Sequence, residues 1–578
     1  MEFFFSDVKD GMRRDFNVEI LMDDGVPMRA DIFRPVEDGQ YPVLLTYGPY
    51  AKGLHFEDGY PYMWNNMRME YPDALAGSSN LYQSWEVPDP EKWVPDGYIC
   101  LRIDSRGTGC SPGFVDPYSP RETQDLLQCI AWAAEQPWSN GKVGMSGISY
   151  YAINAWMAAA QNPPALAAIC SWEGYTDFYR DGVRQGGILT TFWREWYKRQ
   201  IESVQYGLGE LGWKSRVTGQ PASGEVTLDE ADLLKNRTVL GDEVTSRVLD
   251  SEWYRERSAD TTKIKVPLLS AANWGGLGLH IRGNFDGFIR AGTDQKWLEV
   301  HGGNHWAPYY TDYGTALQKK FFGHFLKGED TGWANQPQVQ LNIRHVGEKF
   351  TLRHENEWPL ARTQYKKFYL SPEHMTLTEN PATKGQLSYE AMGEGLTFLT
   401  DPFEQETEFT GHMAAKLFAS ADTTDADLFL VLRLFRPDLK EVTWVGAVDT
   451  NMPLSMGWMR CSQRKLCSTL SRMPWKPVQA HDEQQPLEPG KVYELDVEMM
   501  PTSVVVPKGY RLALSVRGKD YETANMPTPY GPFKNWAGTG YFRHGEPRDQ
   551  VKEIFHNNVT LHFDEGNAPY ILLPVIPE

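Results

Sequence analysis

A serine stands where a strand pattern meets a helix pattern, and this junction limits the folds open to the chain. Residues 142–148 are largely apolar and punctuated by glycine, and Ala152, Ala155 and Ala158 follow Ser149 at helical spacing. A tight strand-to-helix turn lifts the serine hydroxyl clear of a sheet and leaves the first helical N–H groups free to bind an oxyanion. Tyr151 stands where the common Gly-x-Ser-x-Gly motif has its last glycine. The pattern predicts that Ser149 is a hydrolytic nucleophile.

The length of the chain, 578 residues, predicts two to four domains, because a single hydrophobic core does not grow that large. Its hydrophobic fraction of 41% and charged fraction of 23% are those of an ordinary globular protein. The 57 basic and 76 acidic side chains leave a formal net charge of −19. An acidic surface repels phosphate backbones, so nucleic acid is excluded as a partner.

The sequence predicts a cytoplasmic protein without a membrane partner. No apolar stretch approaches the roughly 18 residues that span a bilayer, and the first residues lack the basic and apolar regions of a signal peptide. Dispersed cysteines without a Cys-x-x-Cys pair predict free thiols in a reducing compartment. The six are Cys100, Cys110, Cys129, Cys170, Cys461 and Cys467.

Strand and helix patterns alternate along the first part of the chain, which predicts an α/β core built on a parallel sheet. We expect this core to comprise residues 1–176 and 261–352. The intervening segment, residues 177–260, is charged and helix-prone, so we expect a helical cap inserted into the core. Residues 353–578 contain short apolar runs separated by turns, which predicts a C-terminal all-β jelly-roll sandwich.

A serine nucleophile needs a base, and two histidines follow the strand pattern at residues 297–300. In sheet-based hydrolases the order is serine, acid, then histidine, with the histidine after the last strand. His301 and His305 both fit that position, and His305 lies further out on the loop. Two glycines between them disfavour a helical metal site. We therefore expect His305 to be the base and no metal or cofactor to take part.

Four sequence blocks resemble the cocaine esterase / X-Pro dipeptidyl-peptidase family of α/β-hydrolases, the CocE/NonD type of serine hydrolase. The order of core, cap and C-terminal β domain also matches, so the resemblance covers essentially the whole chain. The Pro-Tyr and Gly-x-Ser-Tyr blocks together are fairly specific, whereas either alone is weak. The blocks are residues 48–52 (Gly-Pro-Tyr-Ala-Lys), 104–113 (Asp-Ser-Arg-Gly-Thr-Gly-Cys-Ser-Pro-Gly), 144–150 (Gly-Met-Ser-Gly-Ile-Ser-Tyr) and 303–305 (Gly-Asn-His).

The resemblance implies an oxyanion hole made of the Tyr50 hydroxyl and the Tyr150 backbone N–H. Two donors directed at a tetrahedral oxygen are each worth roughly 3 kcal/mol, so this assignment is physically reasonable. Asp104 and Arg106 are interpreted as a structural turn and ion pair.

The chain departs from the family pattern at the acid. Relatives usually carry an aspartate in the loop that corresponds to residues 273–278, and Gly276 takes its place here. Glu173 is our first candidate, because it follows a strand and preserves the order serine, acid, histidine. Asp286 and Asp177 are alternatives, and a Ser-His dyad without an acid is a further one.

Aromatic residues beside these loops predict a pocket for a bulky acyl group, so the expected function is a serine carboxylesterase that forms an acyl-enzyme. An X-Pro dipeptidyl-peptidase or acylase, and a non-catalytic ligand-binding protein with a degenerate triad, are the alternatives. The expected partner is a small ester or amide; a homodimer is compatible with the sequence, which does not determine the oligomeric state. The predicted substrate-binding residues are Trp172, Tyr151, Trp274 and Trp306, with Tyr175 and Phe178 as further candidate walls.

Overall fold

The structure, a computed structural model, describes residues 3–381, 384–522 and 542–577. Two large sheets dominate it, and the first contains eleven of the thirteen strands in the N-terminal part. The other two, β8 and β9, form a small hairpin in the cap. The thirteen strands are β1 (Phe5–Lys9), β2 (Met12–Leu21), β3 (Pro27–Pro35), β4 (Tyr41–Gly48), β5 (Ile99–Asp104), β6 (Ser139–Ile148), β7 (Leu166–Trp172), β8 (Arg184–Gln185), β9 (Ile188–Leu189), β10 (Leu268–Asn273), β11 (Lys296–His301), β12 (Val339–His345) and β13 (Lys349–Glu355).

The first sheet is parallel at its centre, as the sequence predicts. Its order is β1-β2-β3-β5-β4-β6-β7-β10-β11-β12-β13, and the strands from β5 to β12 run parallel. Every residue of β5 and of β10 is buried, because helices and the second domain cover both faces. The carboxyl ends of parallel strands meet at one edge, which is where α/β sheets bind ligands.

Helices connect the parallel strands, and none in the described part of the chain is long and apolar enough to cross a membrane. α5 begins with Ser119 as its N-cap and α13 begins with Thr311, since each side chain accepts a hydrogen bond from a first-turn N–H. The helices are α1 (Phe56–Gly59), α2 (Pro61–Glu70), α3 (Pro72–Leu75), α4 (Pro90–Trp93), α5 (Pro120–Glu135), α6 (Tyr150–Gln161), α7 (Phe192–Trp196), α8 (Glu230–Lys235), α9 (Leu240–Ser246), α10 (Glu252–Arg255), α11 (Ile281–Arg290), α12 (Ala307–Tyr310), α13 (Asp312–Phe322) and α14 (Lys552–Phe555).

The segment predicted as a cap contains the hairpin β8–β9 and helices α7 to α10, which are all short. α7 continues into a π-helical turn at Tyr197–Ile201, so the helix-prone segment does not form one long regular helix here. Trp193 and Trp196 of α7 are buried against the core. The cap thus brings aromatic side chains over the carboxyl edge of the sheet.

The C-terminal domain is all-β, but its strand pairing differs from the jelly-roll sandwich that we expected. β18 pairs with both β22 and β25, so nine strands form a closed barrel in the order β18-β22-β21-β19-β23-β17-β15-β14-β25. β18 is 15 residues long and irregular after Gly411, and such a bulge bends a strand enough to pair with two neighbours. The first strand of this domain begins at Gln364, and β13 of the core extends beyond the boundary predicted at residue 352.

The strands of the C-terminal domain are β14 (Gln364–Ser371), β15 (Thr376–Thr378), β16 (Gly385–Glu390), β17 (Leu396–Thr400), β18 (Thr407–Ala421), β19 (Asp427–Phe435), β20 (Glu441–Val442), β21 (Ser455–Arg460), β22 (Tyr493–Val506), β23 (Arg511–Arg517), β24 (Asn558–Phe563) and β25 (Tyr570–Ile576). A shared apolar cluster joins this domain to the core. In it Trp274 and Phe285 of the core pack with Phe429 and Trp458 of the barrel. Burial of such large rings holds the two domains together.

Candidate active site

Ser149 occupies a strained turn between β6 and α6. Its φ of 56° and ψ of −112° lie outside the ordinary regions for a residue with a side chain. Its backbone N–H is shared between the carbonyls of Trp172 and Glu173, each at 3.1 Å. The end of β7 therefore holds the serine in the geometry of a nucleophile elbow.

The Ser149 hydroxyl contacts His280, which is not among the predicted site residues. His280 Nε2 lies 3.1 Å from Ser149 Oγ, and His280 is the residue before α11. Burial, and secondarily the charge of His305, lower the pKa of His280 well below its usual range. The sequence offered one signal for His280: it is a histidine in the loop after β10, where relatives carry the acid.

His305, which we predicted to be the base, lies behind His280 and contacts two carboxylates. The two imidazole rings stack at 5.3 Å and are inclined by only 9°. His305 Nδ1 is 2.7 Å from Glu173 Oε2, and its Nε2 is 3.0 Å from Glu86 Oε1. Burial alone would lower the pKa of His305, but the two carboxylates outweigh it and raise that pKa to about 10.

Glu173, the predicted acid, lies between two histidines. Its second oxygen is 3.0 Å from His301 Nε2, and His301 Nδ1 is 2.7 Å from Glu299. Burial would raise the pKa of Glu173, yet the neighbouring His305 and His301 lower it to about 2. Glu173 is therefore a carboxylate at neutral pH, and burial of His301 is likewise outweighed by Glu299 and Glu173, which raise its pKa to about 9.

The two other candidate acids are engaged elsewhere. Asp286 lies in α11 and pairs with Arg282 and Lys476. Asp177 caps the next turn and pairs with Arg180 at 3.0 Å. Neither carboxylate has a hydrogen bond to a histidine of the cluster among the described contacts, so the geometry favours Glu173 over both.

Of the two predicted oxyanion donors, Tyr50 lines the same cavity as Ser149, and Tyr150 follows Ser149 in the chain. Tyr50 follows β4, and its hydroxyl accepts a hydrogen bond of 3.1 Å from Trp196 Nε1 in the cap. That bond occupies a lone pair and leaves the hydroxyl proton free to be donated. Tyr150 is the first residue of α6, whose opening N–H groups have no intrahelical acceptor. The Tyr150 side chain points away and donates to Glu122 at 2.7 Å.

A cavity of about 450 Å³ opens over Ser149, and mostly apolar and aromatic residues line it. Of the predicted substrate-binding residues, Trp306 lines this cavity, whereas Trp172, Tyr151 and Trp274 are buried and do not belong to its described lining. Trp172 packs on His301 and Trp274 faces the barrel, so both act as core residues. The lining side chains are those of Tyr50, Tyr60, Tyr62, Met63, Trp85, Glu86, Ser149, Phe192, Glu195, Trp196, Arg199, Gln200, Leu279, His280, His305, Trp306, Ala447, Val448 and Phe542.

The C-terminal domain reaches this site through Ala447. The carbonyl of Ala447 accepts a 2.8 Å hydrogen bond from the His305 N–H, and its N–H donates to Gly275 at 3.0 Å. The loops that follow β10 and β11 are thereby joined by one segment of the barrel domain. The position of His305 consequently depends on both domains.

Replacement of Gly275 by alanine is expected to destabilise the protein by about 1–3 kcal/mol, the usual effect of overpacking. An added Cβ would lie 2.4 Å from Gly446 Cα, which is backbone and cannot turn away. Denaturant unfolding of Gly275→Ala measures the effect, with Gly53→Ala as the control because its Cβ would meet nothing closer than 3.6 Å. Equal stability of the two variants would contradict the described domain contact.

The parallel sheet with a serine at its strand-to-helix turn defines the class of protein: it is an α/β-hydrolase fold with an additional C-terminal domain. Residues 24–307 match the family model for the X-Pro dipeptidyl-peptidase of the S15 family, and residues 331–558 match that for the X-Pro dipeptidyl-peptidase C-terminal non-catalytic domain. The chain belongs to the cocaine esterase / X-Pro dipeptidyl-peptidase family, which is a family of serine hydrolases.

Relatives match over nearly the whole chain. A cocaine esterase of Rhodococcus sp. is 25% identical over 97% of this chain and 98% of its own length. A putative Xaa-Pro dipeptidyl-peptidase of Rhodopirellula baltica is 22% identical over 87% of this chain and 82% of its own. The crystal structure of a CocE/NonD family hydrolase from Staphylococcus aureus superposes with a TM-score of 0.83 at 27% identity, covering 98% of this chain and 94% of the other.

Proposed function

We propose that this protein is a serine carboxylesterase that works through an acyl-enzyme on Ser149. The observation that carries the proposal is the 3.1 Å contact between Ser149 Oγ and a histidine nitrogen, on a strained turn that faces the cavity. A serine hydroxyl becomes nucleophilic when a neighbouring base takes its proton. The elbow, the base and the oxyanion donors together support this chemistry.

The reaction has two halves. Ser149 Oγ attacks the ester carbonyl carbon, and its proton passes to one of the two stacked histidines, His280 or His305. The Tyr50 hydroxyl and the Tyr150 N–H stabilise the oxyanion. The carbon–oxygen bond to the leaving group then breaks, and the histidine gives its proton to the departing oxygen. Water attacks the acyl-enzyme in the same way, which releases the acid and restores Ser149.

The cavity favours a bulky apolar acyl group. Its volume of about 450 Å³ falls within the range of small-molecule sites, and aromatic rings such as Trp85, Trp196 and Trp306 line it. The cocaine esterase among the matching relatives supports an ester as the substrate class.

A fluorophosphonate probe tests the proposal. Intact protein is expected to react and to gain the mass of one phosphonyl group on the peptide that contains Ser149, whereas Ser149→Ala is expected not to react. No labelling of the folded intact protein would instead favour a non-catalytic ligand-binding protein with a degenerate site.

Tyr50→Phe is expected to lower kcat by about 10²–10³-fold, because loss of one oxyanion donor costs that much in other serine hydrolases. KM should change little, since the aromatic ring remains. Steady-state kinetics with a chromogenic aryl ester measure both. Tyr60→Phe removes the same atom elsewhere in the cavity lining and should lower kcat far less. Equal losses of kcat in the two variants would show that Tyr50 is not an oxyanion donor.

A further inference from the structure

We propose, on the basis of the proposed hydrolase function, that His280 is the base for Ser149 and that Glu86 is a positioning residue that keeps His305 out of that role. Glu86 and Glu173 hold His305 from its two sides, at 3.0 and 2.7 Å. Glu86 and Glu173 therefore give the two stacked histidines different roles. His305 carries a fixed positive charge, and His280 remains free to accept a proton.

The contacts of His305 leave it no lone pair for a serine proton. Burial raises the pKa of Glu86 to about 7, whereas the pKa of Glu173 is about 2, so both side chains are carboxylates above neutral pH. A carboxylate oxygen can only accept a hydrogen bond, so both ring nitrogens of His305 then donate. An imidazole that donates from both nitrogens is an imidazolium. His305 Nε2 would have to leave Glu86 before it could serve Ser149, and this would leave the Glu86 carboxylate buried without that partner.

His280 has the opposite arrangement. Its Nε2 is in contact with Ser149 Oγ, and its buried Nδ1 has no hydrogen-bond partner among the described residues. A neutral ring with its proton on Nδ1 presents the Nε2 lone pair to the serine hydroxyl. The imidazolium of His305 stacked beside it opposes a second positive charge, so His280 stays neutral until it accepts the serine proton.

Glu86 is anchored to the nucleophile strand. Its carbonyl accepts a 3.0 Å hydrogen bond from the N–H of Ile148, the residue before Ser149. Its φ of 65° is unusual for a residue with a side chain, and Ser149 and Glu173 share this trait, with φ of 56° and 49°. Such strain concentrates at functional sites. Glu86 belongs to the cavity lining, and its buried Oε2 atom has no hydrogen-bond partner among the described contacts.

Among the described residues, five charged or titratable side chains surround the two histidines. Glu86 and Glu173 contact His305 directly, and His280 stacks on it. On the far side of Glu173 lies His301, which carries Glu299 behind it; Tyr175 stacks over His280 at 6.1 Å. The negative charge of the cluster therefore surrounds His305 and not His280.

The pH dependence of kcat/KM separates the two assignments. If His280 is the base, the wild-type activity should rise with pH along an acid limb below pH 6.5, because the pKa of His280 is lowered by burial and by His305. If His305 is the base, activity should appear only towards pH 10, where that imidazolium loses its proton. An acid limb near pH 10 would overturn the proposal.

Variants of the two histidines give a second test. His280→Gln should lower kcat by about 10³-fold or more, as loss of a triad base does. His305→Gln should keep measurable turnover, and its acid limb should move up towards pH 6.5 because the charge beside His280 is gone. The reverse result, an inert His305→Gln with an active His280→Gln, would overturn the proposal. Circular dichroism of both variants confirms that they fold.

Nitrogen NMR of protein labelled with ¹⁵N-histidine tests the role of Glu86 without any substrate. Both nitrogens of His305, assigned with His305→Gln, should be protonated at pH 8, and Glu86→Gln should lower the pH of deprotonation by at least about one unit. Glu195 lies in the same cavity lining but has no described contact with His305, so Glu195→Gln should leave the pH of His305 deprotonation unchanged. A neutral His305 at pH 8 in the wild type contradicts the proposal. Failure of the hydrolase function would show separately, as an intact protein that does not react with fluorophosphonate.

Discussion

Replacement of Ser149 by alanine is expected to lower kcat for ester hydrolysis by at least about 10⁴-fold, the largest loss of turnover that we predict. In the proposed mechanism the hydroxyl forms the covalent bond to the acyl group, and no neighbouring side chain can replace it on the turn between β6 and α6. Binding should survive, because the cavity walls and the oxyanion donors remain. Steady-state kinetics measure the loss of turnover, and tryptophan fluorescence measures ligand binding.

Ser146→Ala is the matched control for this variant. Ser146 lies on β6, three residues before Ser149, is buried, and bonds to Tyr309 and Gln318 at 2.9 Å, away from the cavity. Its loss should affect stability by about 1 kcal/mol and leave most of the turnover. Turnover within tenfold of wild type in Ser149→Ala would exclude the acyl-enzyme mechanism.

Glu173→Gln is expected to have the largest effect on stability, about 3 kcal/mol at neutral pH, because it leaves two buried histidines without their shared carboxylate. Turnover should fall as well, since the uncompensated charge lies beside the reacting serine. Denaturant unfolding and kinetics measure the two effects. Asp286 does not contact the histidine cluster, so Asp286→Asn should keep more turnover than Glu173→Gln. Wild-type turnover in Glu173→Gln would show that Glu173 has no role in catalysis.

The contribution of Glu173 to the free energy of unfolding should decrease at both low and high pH. The lowered pKa of Glu173, about 2, means that its contribution is full above pH 4.5 and is lost as pH falls through that pKa. The raised pKa values of His301 and His305, about 9 and 10, mean that the contribution is full below pH 6.5 and is lost as pH rises through them. The difference between wild type and Glu173→Gln should thus be largest near pH 5.5. A difference independent of pH would contradict the ion-pair network.

Local patterns predicted the parts of the fold that follow from periodicity. The alternation of strand and helix patterns predicted the α/β core, and the strands at residues 41–48 and 99–104 and the helix at residues 120–135 belong to it. Burial on both faces produces long apolar strands, and this signal is strong. The closure of the barrel was not predictable in the same way, since it depends on β18 pairing with both β22 and β25 rather than on any pattern within one strand.

For the site, the prediction of Ser149 as the nucleophile needed only the sequence, because a nucleophile elbow is a local turn whose residues are adjacent in the chain. The partners that reach Ser149 follow from the tertiary structure. His280 is 131 residues away and Glu86 is 219 residues from His305, and no spacing rule connects them. Such contacts arise only where the strand ends, the cap and the Ala447 segment converge. Folding brings the charges together there, and their mutual distances, not their positions in the sequence, set which histidine is charged and which is free.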